Sequence, residues 1–299
     1  MTTPVEAWFE KAYIKGATHK LQSQGFLLKG THREPDRVTA KQVVWRIAGR
    51  GEAVEMAETI EAAQPMNAGR ETVEGTLKDY QAADWIRHPD INKMSENEQQ
   101  IVQQTAAWAL GRKFDRINFD EYDSGVPADA EHDIGDGTTD ITLMDVMQGE
   151  AEIMGQGGAG LELFCPVPSL WMKQLMLYEQ FSSSDYNGPD YPLARMTVRK
   201  KWGFVTYFQA PNEMFTFNSG VSATAWKTAT WAQTYMWAKS CSGFATNYEM
   251  QSRITWENRF TSYFANNWMP GCAKVIMPEG FRRLKFKFNA ALVDPHAPV

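Results

Sequence analysis

Residues 133 to 160, DIGDGTTDITLMDVMQGEAEIMGQGGAG, place two phosphate-binding patterns in one turn-rich stretch. In DIGDGTTD, carboxylates alternate with glycine and threonine, a composition suited to an acidic hairpin that holds a metal ion and a phosphate. GQGGAG spells GxGxxG, in which glycines let the backbone close around a pyrophosphate at a helix N-terminus. A third candidate is the carboxylate group Asp115, Asp120, Glu121 and Asp123. With tryptophans as sugar platforms it would suit glycoside hydrolysis, which needs two carboxyls facing each other across a cleft.

Each chemistry makes a positional demand that the flanking sequence can be tested against. The acidic hairpin of actin-like and Hsp70-like ATPases hangs from a buried apolar strand; here the lead-in is GVPADAEH, polar and proline-containing, and the segment behind it has helical spacing. DIGDGTTD therefore reads as a loop and a helix cap, with an actin-like nucleotide-binding ATPase as the alternative function. GQGGAG follows a helix and precedes a strand, the reverse of the dinucleotide order, so its glycines read as a helix C-cap. The carboxylate group falls on or just past an amphipathic helix and reads as solvated face and cap. The serine run SSSDYNG lacks a GxSxG elbow. Glu52, Glu55, Glu58 and Glu61 read as the charged edge of a hairpin. The five histidines show no HxH or HxxxH spacing, and Cys165, Cys241 and Cys272 form no CxxC. The expectation is no catalytic residue, no metal site, no cofactor, and no enzyme.

Composition points the same way. The 299 residues carry 30 Lys plus Arg against 36 Asp plus Glu, a net charge of -6, which disfavours nonspecific adhesion to nucleic acid. Hydrophobic residues make up 43% and aromatics 12%, with 11 tryptophans, a composition for extensive sheet or interface packing. The start MTTPVEAWFEKAY lacks the regions of a signal peptide, and no window reaches a membrane span. A soluble protein in a reducing compartment is expected.

The elements needed to position these residues begin with a turn-prone arm through about residue 40. Val43, Trp45 and Ile47 alternate with Val44, Arg46 and Ala48; after a Gly-Arg-Gly turn, Val73 and Leu77 alternate with Glu74 and Thr76. This predicts a long hairpin with few core residues, which is barely stable without another surface. SENEQQIVQQTAAWALGRKF predicts a helix capped by Ser95 and Glu98, with Ile101, Thr105, Trp108 and Arg112 on one stripe and Val102, Ala106 and Ala109 beside it, fading near NFDEYDSGVPADA. A second helix starts at Thr142 and Asp145 and uses Leu143, Met147, Ala151 and Met154. LELFCPVP is a strand, and SLWMKQLMLYEQFSS a third helix capped by Ser169. Sheet follows, in VRKKWGFVTYFQA and RITWENRFTSYFANNW, where Phe260, Phe264 and Trp268 share a face. In RRLKFKF, Leu284, Phe286 and Phe288 oppose Arg283, Lys285 and Lys287. SATAWKTATWAQTYMWAKS is read as a further helix.

This order resembles the major capsid proteins of tailed bacteriophages with the Hong Kong 97-type fold. LQSQGFLLKG is similar to the family's arm, PMNAGRETVEGTLKDYQAADWI to the return of its extended loop, and AAWALGRKFDRI to its spine helix. SSSDYNG with WGFVTYFQA, and RITWENRFTSYFANNWMPGCAKVIMPEG, are similar to the axial-domain entry and the strands returning to the peripheral domain. The resemblance implies an α+β capsid fold. Its parts would be an N-terminal arm over 1–41, an extended loop over 42–78, and a peripheral domain over 79–155 and 250–290 with its spine helix near 95–120. An axial domain over 156–249 and a tail over 291–299 complete it. It implies a head protein that assembles with itself as hexamers and pentamers into an icosahedral shell around double-stranded DNA, without sequence-specific DNA contacts and without a membrane. Relatives with a helical scaffolding segment at the N-terminus differ from this chain, so a separate scaffolding protein is implied, with a portal protein and room for a decoration protein. The place would be the virion, assembled in the host cytoplasm. Arg46, Arg50, Arg70 and Trp45 on the loop are the expected intersubunit contacts, although solvated surface arginines fit each of the three singly as well.

Overall fold

The computed structural model describes residues 22–55, 65–66, 68–87, 98–158, 160–182, 199–218, 223–288 and 292. The first half runs through β1 (Arg37–Thr39), β2 (Gln42–Ala48), β3 (Arg70–Thr76), β4 (Lys78–Arg87), α1 (Glu98–Gly125), β5 (Asp133–Ile134) and α2 (Leu143–Ile153). Then come β6 (Leu163–Pro168), α3 (Ser169–Met176), α4 (Glu179–Ser182), β7 (Arg199–Trp202), β8 (Val205–Ala210) and β9 (Thr216–Phe217). The chain closes with β10 (Trp231–Ala238), β11 (Ser242–Ala245), β12 (Gln251–Glu257), β13 (Ser262–Val275) and β14 (Phe281–Lys287).

Three sheets result. A three-stranded one, β1-β2-β3, contains the predicted hairpin, in register from Gln42 opposite Thr76 to Ala48 opposite Arg70. A seven-stranded sheet runs β5-β14-β10-β6-β8-β7, with β9 beside β10. A four-stranded sheet is built on β13, which pairs with β4, β11 and β12. The seven-stranded sheet draws β5 and β14 from the stretches assigned by resemblance to the peripheral domain.

The 28-residue α1 lies between the two larger sheets. Toward the four-stranded sheet, Gln103 donates to Ser252, Lys113 lies over the Tyr80 ring and Glu121 pairs with Lys274. Toward the seven-stranded sheet, Phe119 meets Phe215 and Tyr235, and Tyr122 meets Trp237 and Phe281. The helix ends at Gly125, inside the stretch where fading was expected, and Phe119 and Tyr122, both 0% exposed, carry it past residue 120. Its buried row is also displaced from the expected stripe. Thr105 is exposed while Ala106, Leu110 and Phe114 are buried, because a helix packed on two sides does not show one apolar stripe. Ser95 lies outside the described residues.

Other elements sort by the same logic. α2 has the predicted Thr142–Asp145 capping box, but its core face is Leu143, Val146, Gly149 and Ile153, with Met147 and Ala151 outside. α3 starts at Ser169 itself, with Pro168 in the cap position and the Ser169 hydroxyl accepting from Gln209. The predicted helix over SATAWKTATWAQTYMWAKS is instead a short turn followed by β10, the strand that β14 and β6 flank. Burial on both faces of β10 hides the alternation that would have marked it. Phe260 sits in the turn joining β12 to β13 instead of sharing the strand face, although Trp85 touches both it and Phe264. Leu284, Phe286 and Phe288 are buried as the closing alternation expects, but Arg283 opposite them is buried too, against Tyr235 and Asp133.

The arm crosses α1 where two glycines meet. Gly25 has φ 74°, and a Cβ there would lie 2.0 Å from the Gly111 carbonyl carbon. Phe26 N–H donates to the Gly111 carbonyl at 3.2 Å. Gly25→Ala combines a left-handed conformation with a backbone clash, so it should lower unfolding stability by more than about 2 kcal/mol. Denaturant melts of the purified subunit check this; an unchanged midpoint would mean that the arm does not cross there.

Candidate functional site

The sequence candidates for nucleotide chemistry are occupied by their own chain. Asp133 is in β5, parallel to β14, and its carboxylate takes the Arg283 guanidinium at 2.8 Å. Asp136 accepts from the Thr138 hydroxyl at 2.6 Å and the Thr138 N–H at 2.8 Å, bonds that hold its carboxyl below the usual range. GQGGAG keeps the order helix, glycines, strand: the helix widens over Met154–Gly158 and β6 starts at Leu163. Among the described residues no group of His, Cys, Asp and Glu could hold a metal ion.

The carboxylate group behaves differently from the solvated face expected of it. Asp115 is 3% exposed and accepts from Leu27 N–H at 3.2 Å and Leu28 N–H at 3.1 Å, fastening the arm to α1. Burial pushes its carboxyl up to about 6, against the pull of those two donors. Asp123 accepts from the Tyr235 hydroxyl at 2.6 Å, Gln233 at 2.9 Å and Thr216 at 2.6 Å, fastening α1 to the seven-stranded sheet. Glu121 binds Lys274 and Asp120 binds Arg116. Asp115, Asp123 and Glu121 thus tie α1 to three different partners, while Asp120 stays on the exposed face and pairs within the helix, and the four do not face one another as an acid and base pair would.

A second set of anchors escaped sequence reasoning. The buried Tyr122 hydroxyl meets Ser242 at 2.8 Å and His32 at 3.3 Å, while His32 also meets Ser242 at 2.9 Å. Burial drops the His32 imidazole to about 3, so it is neutral at physiological pH. This knot joins arm, α1 and β11. The available signal was Asp115 and Tyr122, spaced two turns apart on one helix face with Gly111 one turn before.

The hairpin finds the other surface that its root needs within its own subunit. Val43 and Trp45 are 0% exposed and cluster with Leu77, Ala245, Cys272 and Ile276. The indole fits because Gly243 and Gly75 leave room: a Cβ on Gly243 would come within 2.7 Å of it, and one on Gly75 within 3.2 Å. Trp45 is therefore a core residue and not an intersubunit contact. Arg33 and Asp36 brace the same strand, with Arg46 N–H donating to Asp36 at 2.7 Å and Arg33 donating to the Arg46 carbonyl at 3.3 Å. The outer part is otherwise placed. Arg46, Arg50 and Arg70 are exposed, and Val54 and Met66 are 62% and 60% exposed. Beside the root, an open cleft lies between β3, β4, α1 and β13, with Lys78, Lys113 and Lys274 facing Glu74, Asp120 and Glu121.

A chain-long arrangement of this kind has known counterparts. The family model described as phage capsid protein matches residues 5–287. Among solved structures, the capsid of Ralstonia phage GP4 superposes with a TM-score of 0.66 at 8% identity, covering 99% of this chain and 100% of that one. The cyanophage Pam1 capsid asymmetric unit gives 0.65 at 9% identity, covering 92% and 95%. The bacteriophage PhiM1 mature capsid gives 0.64 at 11%, covering 92% and 90%. No curated protein matches the chain.

Two measurements test the anchors. Trp45→Ala should cost about 3–5 kcal/mol, the range for a fully buried aromatic, and speed alkylation of the Cys272 thiol packed beside it. A variant with wild-type stability and thiol reactivity would show that the root is not anchored there. Because the Asp115 carboxyl is raised from 3.8 to about 6, its contribution is full below about pH 4 and is lost as the pH rises through about 6. The wild-type melting midpoint, measured relative to Asp115→Asn, should fall across that window; a difference independent of pH would refute the assignment.

Proposed function

This chain belongs to the phage capsid protein family, and on that premise we propose how it builds its shell. It is a phage major capsid protein with the Hong Kong 97-like α+β fold, and its copies assemble into a capsid. The finer reading is that they form hexamers and pentamers in an icosahedral shell around double-stranded DNA. The subunits are made and assembled in the host cytoplasm, with a separate scaffolding protein and a portal protein. A decoration protein is compatible with the same shell. The work is structural and not enzymatic.

The observation that carries this reading is the contrast along the hairpin. Its root is sealed by Trp45, while its outer part presents Val54, Met66, Arg50 and Arg70 to solvent. A lever held rigidly at one end and unsupported at the other suits a lap joint onto a neighbouring copy, where the exposed methionine and valine bury apolar area and the arginines find carboxylates. The net charge of -6 suits a wall that releases the DNA it encloses. DIGDGTTD supplies nothing to an ATPase, since Asp133 and Asp136 are engaged by Arg283 and Thr138.

Arg50→Glu combined with Arg70→Glu changes exposed residues away from the root. The subunit should keep its melting midpoint, while shells counted by negative-stain microscopy, with the cognate scaffolding protein present, drop at least about tenfold. Normal shell yield from the double variant would remove both arginines from the joint.

A further inference from the structure

Where the arm reaches α1, a cavity of about 300 Å³ opens between that helix and the turn Asn212–Met214, which joins β8 to β9. Ser23 of the arm stands on its rim. The charged groups around it are engaged by the chain itself. Arg112 donates to the Gln22 side chain and to the Ser23 carbonyl, each at 2.9 Å. Arg116 donates to the Met214 carbonyl at 3.2 Å and pairs with Asp120. Glu213 stands 3.9 Å from Arg112, Asp115 holds Leu27 and Leu28, and Lys113 lies over the Tyr80 ring. The remaining walls are Ala109, Pro211 and Met214, so an apolar occupant fits here without any new ion pair.

We propose that this cavity receives Trp8 and Phe9 of the chain's own N-terminal segment. Residues 1–21 lie outside the described residues, and in their sequence Val5, Trp8, Phe9, Ala12 and Tyr13 recur at spacings of three and four, with Glu6, Glu10 and Lys11 between them. The segment begins where the cavity opens, because Arg112 pins Gln22 and Ser23 to the rim. The eight residues between Tyr13 and Gln22 can span about 30 Å, ample for the segment to turn back over α1. A group tethered this closely competes at an effective concentration of about a millimolar, which a separate chain in solution does not match. Each ring that enters removes about 150–250 Å² from water. Docked there, the segment joins the arm, α1 and the turn before β9 in one contact beside the Asp115 clip. The contact lies within one subunit and is independent of the hairpin joint and of shell formation.

Lys11 and Lys15 make the segment readable by limited trypsin digestion of the full-length dissolved chain, with the cuts identified by mass spectrometry. Both should be cut at least about tenfold more slowly in the wild-type chain than in Trp8→Ser with Phe9→Ser, because cleavage tracks the open fraction. Ala109→Arg, which fills the cavity from its helix wall, should release them to the same extent. Cutting at Lys41, exposed in the turn between β1 and β2, should stay the same in both variants, so release of the segment is not loss of the fold. Equal cutting at Lys11 and Lys15 in the wild-type chain and in either variant overturns the proposal. So does protection that vanishes on about a hundredfold dilution, because the occupant would then come from a second copy.

Discussion

α1 must satisfy neighbours on two sides at once, and the rest of the subunit is arranged around that demand. A helix between two sheets cannot seal both contacts with one apolar stripe, so its contacts combine rings with polar groups that find specific partners. Asp115 holds the arm, Tyr122 holds His32 and Ser242, Asp123 holds β9 and β10, and Glu121 holds β13. Carboxylates and hydroxyls buried this deeply are tolerated because several donors converge on each, whereas an apolar replacement would strand those donors. The outcome is a helix fixed in rotation and in translation, which a purely greasy contact would leave freer.

That fixed helix explains how the hairpin projects. β3 continues directly into β4, which pairs with β13 along ten residues and packs against α1. Trp45 locks β2 to Gly243 on β11, so both strands of the hairpin leave the body with their bases set. Rigidity at the base and exposure farther out are two halves of one design. The exposed outer residues can be changed without loosening the fold that carries them.

Much of this was legible in the residues. The hairpin appeared as alternation on both strands, the α2 cap as Thr142 and Asp145, and the last strand as Leu284, Phe286 and Phe288. What was hidden had a common cause. β10 is buried on both faces, and α1 on two sides, so neither shows the one-sided periodicity from which elements are read. Asp115 and Asp123 resemble surface charges in sequence because the donors that make them internal, Leu27, Leu28, Thr216 and Tyr235, lie far away along the chain. Trp45 was misplaced for the same reason: the glycines that receive its ring are at 75 and 243.

The pairing of β4 with β13 joins Lys78 to Gly271 and Arg87 to Ser262. A ribosome must therefore have released the chain through β13 before β4 gains this partner. Until then the ribbon's base lacks the strand that braces it. Contacts this distant along the chain close late in folding, so the mount of the ribbon is among the last parts of the subunit to set.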